Sequence, residues 1–204
     1  MNKSKRSESI SLEALQAGDK AEFALMVDAY SAMIYRLGLK MLNNPQDAED
    51  ILQETFIKAF RNLDRFDGRA SVSTWLYRIA TNEALMLLRK KRPDSISVEK
   101  PWEENGQEQE PLQIIDWCCL PENELMSAET REYLDKAADK LPPSLKVVFI
   151  LRDIEGLSTR ETAEVLGISE TAAKTRLSRA RLRLREELTG YFSERIEGQP
   201  DGTR

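Results

Sequence analysis

Apolar residues recur every three or four positions over most of this chain. Phe23, Val27, Tyr30, Ile34, Leu37 and Met41 fall on one face of a helix. Asn43, Asn44 and Pro45 interrupt the period. It resumes in DAEDILQETFIKAFRNLDRF, with Ile51, Phe56, Ala59, Phe60 and Leu63 as the predicted core, and stops at Asp67 and Gly68. A third helix is predicted in STWLYRIATNEALMLLRKKR, with Ser73 or Thr74 as its cap and Pro93 at its end. A second periodic zone follows further on. There Tyr133, Ala137, Leu141, Val147, Val148, Ile150 and Leu151 supply apolar faces around Pro142 and Pro143. The pattern predicts an all-α chain of two small helical domains, residues 11–92 and 123–190. Residues 1–10 form a disordered tail, 93–122 a linker and 191–204 a polar, frayed tail. Domains this small gain stability from contacts with partners.

The linker is defined by charge as well as by lost periodicity. From Glu99 to Glu132 there are ten carboxylates, opposed only by Lys100 and Arg131, and Pro101, Pro111 and Pro121 interrupt it. Such a segment repels itself and stays flexible. It supplies much of the excess of 35 acidic over 30 basic side chains and the pI near 5.1.

Against that background, residues 174–188 (KTRLSRARLRLREEL) concentrate positive charge. They close a longer pattern, GLSTRETAEVLGISETAAKTRLSRARLRLREEL. Ser158 and Glu161 have capping-box spacing. Ala163 and Leu166 face inward, Gly167-Ile168-Ser169 makes a tight turn, and Ser169 caps the next helix. Two helices joined by a short turn containing Gly predict a helix-turn-helix. Projection at ~100° per residue puts Ala173, Leu177, Ala180 and Leu184 on one seam. Thr171, Thr175, Ser178 and Arg179 lie opposite, with Leu182 beyond them. Lys174, Arg181 and Arg185 line one flank, Arg176 and Arg183 the other. A slim polar face between cationic flanks suits a major groove, where side chains read base edges and cations meet phosphates.

The first domain carries two further candidate surfaces. Its third helix holds Trp75, Tyr77, Arg78 and Asn82 and ends in Arg89, Lys90, Lys91 and Arg92. The terminal cations complement a helix C-terminus. Aromatic and basic groups together also suit single-stranded DNA, although Trp75 is assigned to the core. The small polar loop Asp67-Gly68-Arg69-Ala70-Ser71 could fold around an extruded base. On the preceding helix, Asp47, Asp50, Gln53 and Glu54 form an acidic stripe, which is either a solvated face or a docking site for a basic protein surface.

Other chemistry finds little support. The chain has no histidine, which removes Ser–His and Cys–His pairs and imidazole ligands. No phosphate-binding glycine loop occurs. Cys118 and Cys119 are adjacent and are assigned a structural or incidental role rather than a redox one. No enzyme activity, cofactor or metal is expected. No apolar run reaches ~18 residues, so no membrane insertion is expected. The basic N-terminus lacks a following apolar stretch, and cytoplasmic residence is expected.

DAEDILQETFIKAF, STWLYRIATNEALMLLRKKR and LPPSLKVVFILRDIEGLSTRETAEVLGISETAAKTRLSRARLRLREEL together resemble bacterial RNA polymerase sigma factors of the extracytoplasmic-function (ECF) group. QAGDKAEFALMVDAY fits the first helix of that pattern, and the resemblance covers about residues 11–190. It implies sigma region 2 at 11–92 and sigma region 4 at 123–190. Asp47, Asp50, Gln53, Glu54 and Phe56 would dock core RNA polymerase. Asp67, Arg69, Ser71, Arg78, Asn82, Arg89, Lys90, Lys91 and Arg92 would recognise and melt the minus-ten element. Thr171, Lys174, Thr175, Arg176, Ser178, Arg179 and Arg181 would read the minus-thirty-five element of promoter DNA. The resemblance also implies an anti-sigma factor as partner, often membrane-linked, and a role in a stress or envelope response. The alternative is a conventional helix-turn-helix regulator binding duplex operators, which would leave residues 11–92 without a role.

Overall fold

The computed structural model describes residues 10–91 and 128–197, with side chains described over 10–91 and 133–189. Arg92, Cys118, Cys119, the acidic linker and the outer parts of both tails lie outside the described residues. Every regular element among the described residues is helical. The first domain comprises α1 (Leu12–Gln16), α2 (Lys20–Leu42), α3 (Pro45–Arg61), a 3₁₀ turn (Leu63–Arg65) and α4 (Val72–Lys91). The second comprises α5 (Ala128–Asp139), α6 (Pro143–Phe149), a widened π-type turn (Ile150–Ile154), α7 (Thr159–Leu166) and α8 (Glu170–Glu197). The backbone of α8 stays helical past Phe192, where a frayed tail is predicted. No helix among the described residues is long and apolar enough to cross a membrane.

Local chemistry explains the boundaries. The Asp19 carboxylate accepts the Ala21 and Glu22 amides at 2.8 and 3.2 Å and starts α2. Asn43 ends α2 in the left-handed conformation at φ 51°. Asn44 then caps α3, with Pro45 in the first turn, where its missing N–H costs nothing. The cap of α4 is Ser71, whose hydroxyl accepts the Thr74 amide at 3.1 Å. The helix therefore begins before the predicted caps Ser73 and Thr74, which lie inside its first turn.

Met26, Ile34, Leu37 and Met41 of α2 pack with Ile51, Phe56 and Ala59 of α3 and Leu76, Tyr77, Ala80 and Ala84 of α4. Phe60, predicted as core, is 49% exposed. The inward face of α3 is taken by Ile51, Thr55, Phe56 and Ala59, and one further residue turns the helix ~100° away from it. In the second domain Ala137, Leu141, Leu145 and Phe149 pack on Ala180 and Leu184.

The two domains do not hang apart. Val147, Val148, Ile150 and Leu151 belong to the same buried cluster as Leu37, Met41 and Tyr77. Helix α4 packs against α7, and α2 against α6. Polar contacts fix the register of this interface. The Glu155 carboxylate, its side chain only 2% exposed, receives Arg36 through two bonds of 3.0 and 2.8 Å. The Tyr77 hydroxyl donates to the same carboxylate at 2.7 Å. Burial, then this bond and the charge of Glu155, push the Tyr77 phenol well above its ordinary range. Buried Lys146 donates to the Met41 carbonyl at 3.0 Å and to Asp139 at 2.8 Å. Asn43 donates to Asp139 at 2.8 Å, and Lys40 pairs with Asp135 at 2.5 Å.

A buried carboxylate is tolerated only while its partners remain. Removing both donors, with Arg36→Ala and Tyr77→Phe, strands Glu155 at the interface. We expect this double variant to show a larger radius of gyration in small-angle scattering than the wild-type chain, for which 204 compact residues correspond to ~17 Å. Its helical circular dichroism should be unchanged. An unaltered radius would show that apolar packing alone holds the domains together.

Candidate functional site

The second domain presents a helix-turn-helix whose parts follow from its sequence. Ser158 and Glu161 form a reciprocal capping box. The Glu161 amide donates to the Ser158 hydroxyl at 3.1 Å, and the Ser158 amide to the Glu161 carboxylate at 2.7 Å. These bonds hold the Glu161 carboxyl below its usual range. Gly167 ends α7 at φ 64°, a conformation that costs a residue with a Cβ roughly 1–2 kcal/mol. The Ser169 hydroxyl then accepts the Ala172 amide at 3.1 Å and starts α8.

On α8 the projected seam is buried: Ala173, Leu177, Ala180 and Leu184, continued by Leu188. Thr171, Lys174, Thr175, Arg179, Arg183 and Arg185 are exposed, while Arg176 and Ser178 are half-buried. Arg181, predicted on a phosphate-facing flank, makes an ion pair within the domain. Asp153, at the π-type turn, accepts from its guanidinium through two bonds of 2.9 and 2.7 Å. Arg181 thus ties the recognition helix to its scaffold. This partner is 28 residues away, so periodicity along α8 does not reveal it.

In the first domain Arg78, Asn82 and Met86 are exposed at four-residue spacing on α4 and lead to exposed Arg89 and Lys90. Lys91 is exposed as well, and it pairs with Asp47 of α3. That contact also turns Asp47, predicted for docking, toward α4. Trp75 stacks on Phe66 with centroids 4.6 Å apart and is half-buried, consistent with its assignment as packing. In the loop before α4, Asp67 pairs with Arg69 at 3.0 Å, and both are exposed. Ser71 is committed to capping α4.

The outer face of α3 differs from the predicted docking set at one end. Asp50 and Gln53 are exposed. Glu54 is half-buried and lies 3.5 Å from Lys58, which also pairs with Glu83 of α4 at 2.6 Å. The Glu83 bond, ahead of the other charges, raises the Lys58 ammonium above its ordinary range. Phe56 is only 7% exposed and meets Phe23 edge to face at 6.4 Å, so most of its ring belongs to the core. Ile57 and Phe60 stand outside instead, at 43% and 49% exposure. Phe60 also packs edge-on to Phe23 at 5.0 Å. With Phe23, Phe56 and Arg61 they line an open cleft of about 390 Å³. The spacing of Asp50, Gln53, Ile57 and Phe60 is itself a helical stripe, and that signal points to both apolar residues.

Two packed helical domains, one carrying an exposed helix-turn-helix, define a modular all-α protein with a DNA-recognition motif. The sequence model of Sigma-70 region 2 matches residues 26–93, and that of Sigma-70, region 4 matches residues 131–184. The chain is 40% identical over 179 residues to the ECF RNA polymerase sigma factor SigW of Bacillus subtilis, covering 87% of this chain and 94% of that one. It is 34% identical over 172 residues to the ECF RNA polymerase sigma-E factor of Escherichia coli K12, covering 83% and 88%. The chain therefore belongs to the ECF RNA polymerase sigma factors. The fold agrees with the solved CnrH in complex with the cytosolic domain of CnrY, at TM-score 0.63 and 23% identity over 88% of this chain and 95% of that one. It also agrees with RpoE of Bartonella quintana in complex with the anti-sigma factor NepR, at TM-score 0.61 and 24% identity over 82% and 97%.

The capping box gives a pH signature. The Glu161 carboxyl is depressed in the folded state, so its stabilisation is present above the usual value of 4.5 and is lost as pH falls through the lowered one. Glu161→Gln should cost up to ~1 kcal/mol near neutral pH. The gap from wild type in urea midpoint should close in acid. A gap independent of pH would contradict a charged capping role.

Proposed function

We propose that this sigma factor selects promoters for core RNA polymerase through three separate surfaces. The observation that carries the proposal is α8: a buried apolar seam behind an exposed face of Thr171, Lys174, Thr175 and Arg179. That face reads the minus-thirty-five element, with Arg176, Ser178, Arg183 and Arg185 beside it. In the first domain, the loop at 67–71 and the stripe of Arg78, Asn82, Arg89 and Lys90 engage the opened minus-ten element. The outer face of α3, with Asp50, Gln53 and Glu54 running into Ile57 and Phe60, docks on the polymerase. Its chemistry asks for a partner that offers both cations and apolar contacts.

Geometry also implies a change of shape. About 25 base pairs separate the two promoter elements, or ~85 Å of duplex at ~3.4 Å per step. A packed body of ~150 residues is only about 40 Å across. The closed arrangement therefore cannot read both elements, and the Glu155 interface must open on the polymerase. The closed form is the one suited to an inhibitory partner. The Bartonella RpoE was solved with the anti-sigma factor NepR and CnrH with the cytosolic domain of CnrY, and an anti-sigma factor is proposed here as well. A stress or envelope response, cytoplasmic action beside the polymerase and the absence of enzymatic activity complete the proposal.

Run-off transcription with purified core polymerase and genomic promoter fragments tests this. Absence of both specific transcripts and co-elution with core would sink the assignment. Ile57→Asp with Phe60→Asp should weaken core binding by roughly 2 kcal/mol or more. Circular dichroism should show its helical content retained, because both residues lie outside the buried core. Arg179→Ala should lose ~1–3 kcal/mol of promoter discrimination while core affinity survives. Loss of core affinity in that variant would contradict the division of surfaces.

A further inference from the structure

Helix α1 belongs to none of the three surfaces, yet it is firmly placed. Leu15 is completely buried. The Ser11 hydroxyl caps the helix by accepting the Ala14 amide at 3.3 Å, and the Ser11 amide donates to Glu22 of α2 at 2.5 Å. From this fixed base two side chains reach the segment that precedes α4. The Gln16 amide donates to the Phe66 carbonyl at 2.5 Å. Leu12 lies against Gly68, its Cδ2 only 2.5 Å from where a Cβ on that residue would stand. Gly68 also adopts φ +73°, which favours glycine, and a Cβ there would push the Leu12 methyl aside.

These contacts hold one end of the Asp67–Ser71 loop. The Phe66 ring is stacked on Trp75, and its carbonyl is held by Gln16. At the other end Ser71 is locked into the cap of α4. The tip between them remains exposed, with Asp67 and Arg69 paired to each other. A short loop left to itself would sample many shapes and would have to be ordered by its ligand. Held at both ends, it samples fewer shapes, so less ordering is left for binding an extruded base.

We propose that Gln16 and Leu12 are positioning residues for minus-ten recognition. They set the path of the backbone at Phe66 and Gly68, so that Asp67 and Arg69 meet an extruded base in a preformed arrangement. Neither residue touches the DNA. The proposal rests on assigning the 67–71 loop to the minus-ten element.

The test uses the full chain with core polymerase on promoters carrying single-base changes across both elements. Gln16→Met preserves side-chain length and removes the donor without adding charge. Discrimination at one minus-ten position should fall on the order of fivefold to tenfold, toward that of a loop with no base preference. Discrimination at the minus-thirty-five element and core affinity should be unchanged. Gln16→Lys, which restores a donor, should recover much of the loss. Asp67→Ala and Arg69→Ala run in parallel. If they erase discrimination at that position while Gln16→Met retains it, the positioning role is overturned and the loop assignment stands. If none of the three has an effect, the loop assignment fails and takes the proposal with it. A uniform drop on every promoter would mark Gln16 as merely structural and would also overturn it.

Discussion

The closed form of this sigma factor depends on a carboxylate out of water. Glu155 is almost fully buried between the domains, and it is satisfied from the first domain by Arg36 and Tyr77. A buried charge contributes little net stability but is intolerant of a missing or misplaced partner. It therefore selects one register of contact where apolar packing alone would accept several. Lys146 acts in the same way from the other side, with its ammonium shared between the Met41 carbonyl and Asp139. Such an interface holds a defined closed state. It can also give way when a partner offers both domains better contacts, because water can solvate the released charges.

Ion pairs elsewhere connect the working surfaces to one another. Lys91, at the basic end of α4, is held by Asp47 of α3, and Lys58 joins Glu54 to Glu83 across the same two helices. The outer face of α3 and the exposed stripe of α4 are thus tied to each other by ion pairs. In the second domain Arg181 and Asp153 lock the recognition helix to the π-type turn. That turn leads directly to Glu155, so the residues that orient α8 adjoin those that hold the domains together.

Much of this was legible in the sequence because helices write their faces into it. The seam of Ala173, Leu177, Ala180 and Leu184 follows from a period of ~3.6 residues, and burial confirms each position. The Ser158–Glu161 capping box and the Gly167 turn follow from equally local rules. Other positions were less legible. Phe56 and Phe60 are identical in type and close in sequence, yet one is buried and the other is not. Aromatic character alone does not tell a buried ring from an exposed one, and only the angular position on α3 separates them. The start of α4 shifted to Ser71 for a related reason, since several hydroxyls compete to cap one helix.

By itself the sequence determined what is local: the helices, their buried stripes, the helix-turn-helix and the family, which rests on long ordered motifs. Tertiary structure alone decided which remote acid meets which cation. Arg181 and Lys91 look like DNA-facing cations in sequence, but Asp153 and Asp47 engage them. Glu155 looks like one more acid in an acidic chain, but Arg36 lies 119 residues away and makes it a latch. Pairing of this kind depends on distances in space. A helical period carries no record of which remote side chain arrives opposite.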